Sequence, residues 1–103
     1  MGSPTRIRAQ LKDGTADVRV LMSHRMETGT RKDASGKLVP AHFISDVTAM
    51  LNGRNVLTAK WSMAVSQDPF LWFRVTGAKA GDKLSVTWQD NQNDTRTDEV
   101  VLA

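Results

Sequence analysis

The chain contains no cysteine among its 103 residues. That absence excludes a disulfide framework, a thiolate nucleophile and cysteine-bound zinc in this chain. Histidine is scarce as well: His24 and His42 are too few for a zinc site without several carboxylates. No apolar run approaches the roughly 20 residues that a membrane span needs. The start has no basic segment followed by an apolar stretch, so no signal peptide of its own is expected. A strong excess of one charge is missing too. Fourteen Lys and Arg against eleven Asp and Glu leave a net +3. The two signs alternate along the chain as on a solvated surface, so a polyanion-binding footprint is not demanded. Helical periodicity is nearly absent.

What is present is a series of short period-2 runs separated by turn signals. Arg6 to Leu11 ends at Asp13-Gly14. Ala16 to Ser23 places Val18, Val20 and Met22 on one side. Phe43 to Leu51 and Asn55 to Met63 flank Asn52-Gly53, a pair suited to a type I′ hairpin turn because both residues tolerate positive φ. Phe70 to Thr76 follows the Gln67-Asp68-Pro69 turn. Leu84, Val86 and Trp88 then alternate with Ser85, Thr87 and Gln89. Asp90 to Asp94 reads as a polar tip, and Thr97 to Leu102 closes the chain. About seven antiparallel strands in one domain over residues 1–103 fit an all-β, immunoglobulin-like sandwich, with a small closed barrel as the alternative. Residues 1–4 read as an irregular start, and Met1-Gly2-Ser3 has the form of an expression-vector remnant.

Two features go beyond a self-sufficient sandwich. The basic segment 24–41 is too long for a hairpin, and such loops are usually functional or disordered. Pairing outward from Asn52-Gly53 sets Ala49 opposite Val56 and Val47 opposite Thr58. Ile44, Met50, Leu57, Ala59, Trp61 and Met63 then fall on the second face, whereas a sandwich buries one face of each sheet. Phe70 to Phe73 is similarly two-sided. Met50, Leu57, Trp61, Met63, Phe70 and Trp72 are therefore candidates for a partner interface.

Other chemistry is thinner. Met22, His24 and Met26 share one side of an extended segment, and with Met50 and Met63 they offer soft ligands suited to copper(I). A copper-binding periplasmic sandwich is the second reading, although methionine fills adaptable interfaces equally well. Ser23, His42 and Asp33 supply the residue types of a triad without a nucleophile elbow, so no enzyme is expected. Trp61, Trp72 and Trp88 lack the basic track that nucleic acid requires. Arg25, Arg31, Lys32 and Lys37 form either a solvated loop or a cationic rim drawing small anions toward a reactive group.

The string from Ser23 to Ile44 resembles the signature segment of the SoxZ family. It reads His24-x-Met26-x-x-Gly29, then Arg31-Lys32-Asp33-x-x-Gly36-Lys37-Leu38-Val39-Pro40. Leu51-Asn52-Gly53 with Asn55-Val56, Ala64 to Phe70, and Trp88-Gln89-Asp90 are similar to further family motifs. The resemblance implies a subunit without catalytic residues, metal or cofactor, paired in a heterodimer with SoxY. In such a carrier the partner's mobile C-terminal cysteine arm holds thiosulfate-derived intermediates, and other Sox proteins meet it transiently. It also implies a periplasmic setting, reached by export together with the partner. A SoxYZ-like carrier linked to a quinoprotein dehydrogenase is the variant of this reading. His24, Arg25, Met26, Arg31, Lys32, Asp33, Lys37 and Pro40 are then the cargo-side candidates; no membrane or nucleic-acid contact is implied.

Overall fold

The computed structural model describes residues 4–103, and the reading of Met1 to Ser3 lies outside them. Among the described residues there are seven strands and no helix. They are β1 (Arg6–Lys12), β2 (Thr15–Leu21), β3 (Ile44–Leu51), β4 (Arg54–Lys60), β5 (Phe70–Thr76), β6 (Lys83–Asp90) and β7 (Thr95–Val101). One sheet has the order β1-β2-β5 and the other β4-β3-β6-β7. Every pairing is antiparallel. In immunoglobulin lettering this is A-B-E against C′-C-F-G, a sandwich whose first sheet lacks strand D and whose second carries C′.

The core follows directly from the alternation. Ala16, Val18, Val20 and Met22 meet Val47, Ala49 and Leu51 and the β6 row Leu84, Val86 and Trp88, all at most 3% exposed. Asn52 and Gly53 take φ of 52° and 81°, the two left-handed residues of a type I′ turn.

Beyond that turn the pairing departs from the expected one. Leu51 does face Arg54, but a bulge between Ala49 and Met50 sets Ala49 opposite Leu57 and Val47 opposite Ala59. A second irregularity, between Ile44 and Asp46, turns both Ile44 and Val47 inward. A bulge inserts one residue on one strand, and with a period of two that reverses the face of everything beyond it. Ile44 therefore joins the core, while Leu57, Ala59 and Trp61 pack against it half-buried. The hairpin is not two-faced; on β3 only Met50 remains an exposed large apolar residue.

Candidate functional site

Beyond Leu21 the chain stays extended, held by hydrogen bonds to the β4–β5 connection. Met22 N–H donates to the Pro69 carbonyl at 3.0 Å, and His24 N–H to Asp68 Oδ1 at 3.0 Å. Continued alternation sends Met22, His24 and Met26 inward and Ser23 and Arg25 outward. On β6 the same parity carries Leu84, Val86 and Trp88 inward, and then Asp90.

These two inward rows meet. His24 Nε2 and His42 Nε2 lie 3.0 and 2.7 Å from one oxygen, Asp90 Oδ2. The other oxygen accepts the N–H groups of Gln92 and Asp94, each at 2.9 Å. A carboxylate only 2% exposed thus has four donors, which is what allows a charge to be buried. Met26 N–H donates to His24 Nδ1 at 3.1 Å, so Nδ1 carries the lone pair and Nε2 the proton. The His24 ring stands edge-on to Trp88 at 5.2 Å and to His42 at 4.6 Å.

His24, His42 and Asp90 bring three ligand-type atoms within 4.8 Å, the composition of a metal centre. The tautomer argues for a hydrogen-bonded latch instead. A metal would need the lone pair on His24 Nε2, and moving that proton to Nδ1 would set it against Met26 N–H. Met26 Sδ is itself engaged, accepting Ile44 N–H at 3.3 Å. Met22 is sealed in the core, while Met50 and Met63 are exposed on other segments, so the soft-ligand set is dispersed. Ser23, His42 and Asp33 do not form a relay either, because His42 is tied to Asp90 and Asp33 to a distant turn.

That turn belongs to segment 24–41, which is an ordered two-tier ribbon. Its base is the antiparallel pair Glu27 and His42, joined at 2.6 and 3.0 Å. Its tip is a smaller pairing of Lys32 with Leu38. Asp33 Oδ1 accepts Ser35 N–H, Ser35 Oγ–H and Lys37 N–H at 2.7 to 3.1 Å, while Gly36 takes a φ of 84°. The spacing Asp33-x-x-Gly36-Lys37 is thus an aspartate-nucleated turn. At Gly29 the φ is 87° and an added Cβ would sit 3.1 Å from Ala41 Cβ, so a side chain there meets both strain and contact. The ribbon stands clear of the sandwich, with residues 30–38 all exposed.

The cationic candidates separate along it. Arg31 is held by Glu27 through bonds of 2.7 to 3.2 Å. Arg25, Lys32 and Lys37 are exposed and have no ion pair among the described residues. Pro40 is exposed where the ribbon returns to the sandwich. Ser23, Arg25, His42, Gln67, Asp68 and Asp94 ring an open cleft of about 300 Å³ floored by His24, Trp88 and Asp90.

The apolar candidates do not form one surface. Phe70 and Trp72, 59% and 53% exposed, stand on the outer face of the three-stranded sheet. Met50 stands on the other sheet, Leu57 and Trp61 are half-buried, and Met63 lies in the β4–β5 connection. Asp90, marked in the sequence only by the Trp88-Gln89-Asp90 motif and the polar tip, is the site residue missing from the candidates. Its signal was its parity: it continues the buried row of β6, where a carboxylate requires donors.

Burial works to raise the Asp90 carboxyl, but donation from His24, His42 and Gln92, and the charge of His42, hold it below the ordinary carboxylate range. Asp33 is held low by Ser35 and Lys37, and Asp82 by Asn52 and Lys79. A depressed carboxyl contributes stability above its unfolded value of about 4 and loses it as pH falls toward the folded one. The urea midpoint is therefore expected to hold between pH 7 and 5 and to drop by pH 3; equal midpoints at pH 5 and 3 would contradict this.

Asp90 thus meets the ribbon signature in space although 66 residues separate it from His24 and 48 from His42. No curated protein matches the chain. The family model described as sulphur oxidation protein SoxZ matches it over residues 5–101, nearly its whole length. Matched over nearly all of its length, the chain belongs to the SoxZ family of sulfur-oxidation proteins.

Proposed function

We propose that the chain is the non-catalytic subunit of a heterodimeric periplasmic carrier. Its partner is SoxY, whose C-terminal cysteine arm holds thiosulfate-derived intermediates covalently. One observation carries this reading: the signature residues spend their hydrogen-bonding capacity on each other. Asp90 takes both histidines, His24 takes Met26 N–H, and Asp33 takes its own turn. A site so closed fixes the shape of the ribbon and leaves no group poised to attack a substrate. With no cysteine in this chain, the covalent chemistry falls to the partner.

The ribbon's role is then to present the partner's arm, with Arg25, Lys32 and Lys37 lending positive charge to a thiosulfonate cargo. Co-expression with SoxY is expected to give a 1:1 complex that survives gel filtration. Two proteins eluting separately would overturn the reading.

A further inference from the structure

The outer face of the β1-β2-β5 sheet is the least ordinary surface of the molecule. The register lays it out in rows across the three strands: Arg6, Leu21 and Phe70; Arg8, Arg19 and Trp72; Gln10, Asp17 and Arg74; Lys12, Thr15 and Thr76. Five cations and one carboxylate stand here, so this single face carries more positive charge than the net +3 of the whole chain.

The two ends of the face differ. At one end Asp17 accepts the Trp72 indole N–H at 2.9 Å and lies 3.4 and 3.5 Å from Arg74 and Arg19. The guanidinium of Arg19 stacks over the indole at 4.7 Å, and that of Arg74 lies 5.7 Å from it. This end is neutralised from within, and it holds Trp72 in place. At the other end Arg8 is directly opposite Arg19, a like-charge pair that costs stability in an antiparallel sheet. Arg6 and Arg8 have no ion pair among the described residues. They border a groove of about 290 Å³ whose other walls are Arg19, Leu21 and Phe70.

We infer that this face is where the partner subunit of the proposed carrier docks, through a surface that sets carboxylates against Arg6, Arg8 and Arg19 and an apolar side chain against Phe70 and Leu21. The inference rests on the heterodimer reading and gives it a location and a chemistry. Charge complementarity selects the occupant. A second copy of this chain would bring the same arginines together. A polyanion, whether lipid surface or nucleic acid, leaves Phe70, Leu21 and Trp72 unexplained. A protein surface of mixed sign meets both demands, and exposed Arg and Trp held rigid are the side chains on which interface affinity concentrates.

Arg8→Glu tests this cleanly, because a glutamate there faces Arg19 as an opposite-charge pair and keeps the sheet intact. Binding of the full chain to purified SoxY is measured at about 0.15 M salt, near physiological ionic strength. The expected result is at least about a tenfold loss of affinity for Arg8→Glu, a smaller loss for Phe70→Ala, and little change for Lys83→Glu on the opposite sheet. Wild-type affinity is also expected to fall as salt rises. A complex that forms normally and is indifferent to Arg8→Glu overturns the location while leaving the pairing intact. Absence of any wild-type complex overturns the pairing and the location together. Binding to phosphatidylglycerol vesicles or an oligonucleotide that Arg8→Glu abolishes, with SoxY affinity unchanged, assigns the face to a polyanion and overturns the inference.

Discussion

Asp90→Ala is expected to remove about 3–5 kcal/mol of stability, the scale seen when one member of a buried, hydrogen-bonded charge network is deleted. Four donors now converge on that carboxylate: both histidine Nε2 groups and the N–H groups of Gln92 and Asp94. Alanine removes the acceptor from all four, and each buried donor left orphaned costs about 1–3 kcal/mol before relaxation. The total stays below their sum because His42 lines the open cleft and can turn toward solvent. Urea unfolding is the measurement, and the melting temperature should fall by more than about 12 °C for a domain of this size. A loss under about 1 kcal/mol would show that the latch does not hold the ribbon base.

Trp88→Ala is expected to cost a similar amount, about 3–5 kcal/mol, by a different route. Trp88 is 1% exposed and the largest fully buried side chain, so its loss leaves a cavity between the sheets. It also removes the wall against which the His24 ring stands edge-on at 5.2 Å. Its indole N–H has no acceptor among the described residues, so Trp88→Phe removes an orphan donor together with part of the bulk. The phenylalanine variant should therefore cost clearly less than the alanine one, and equal losses would contradict this packing argument. Because Trp88 and Asp90 share His24 as a neighbour, the double variant should lose less than the sum of the single ones.

Much of this was legible in the residue pattern. Alternation located the core: Val18, Val20, Met22, Val86 and Trp88 lie where a period of two puts them. Asn52-Gly53 located its hairpin because its left-handed turn is a local demand. The bulges were not legible. Nothing in the string from Ile44 to Leu51 marks an extra residue, since a bulge is settled by how neighbouring strands fit. One extra residue reverses a face, and an unbulged register therefore points Leu57 and Trp61 outward.

The site divides in the same way. His24 and Met26 stood out as chemistry-bearing residues, and their inward direction followed from parity. From sequence Asp90 reads as part of a polar tip because the turn composition that follows it is strong. Its true environment depends on His24 and His42, which are distant in sequence and therefore invisible to any local window. The ribbon could be seen as long and basic. Its order was hidden in the side-chain bonds of Asp33 and the pairing of Glu27 with His42.

The tie between His24 and Asp90 also sets an order of events as the chain is made. The ribbon leaves the ribosome early, whereas its anchoring carboxylate comes near the end of β6, 66 residues later. Until that strand emerges, His24 and His42 have nothing to close on, and the family's signature segment has its sequence but not its shape. Domains dominated by such distant pairings fold slowly, in milliseconds to seconds. The ribbon's shape is therefore completed only when nearly the whole chain is available, and a product truncated before β6 would carry the signature without its form.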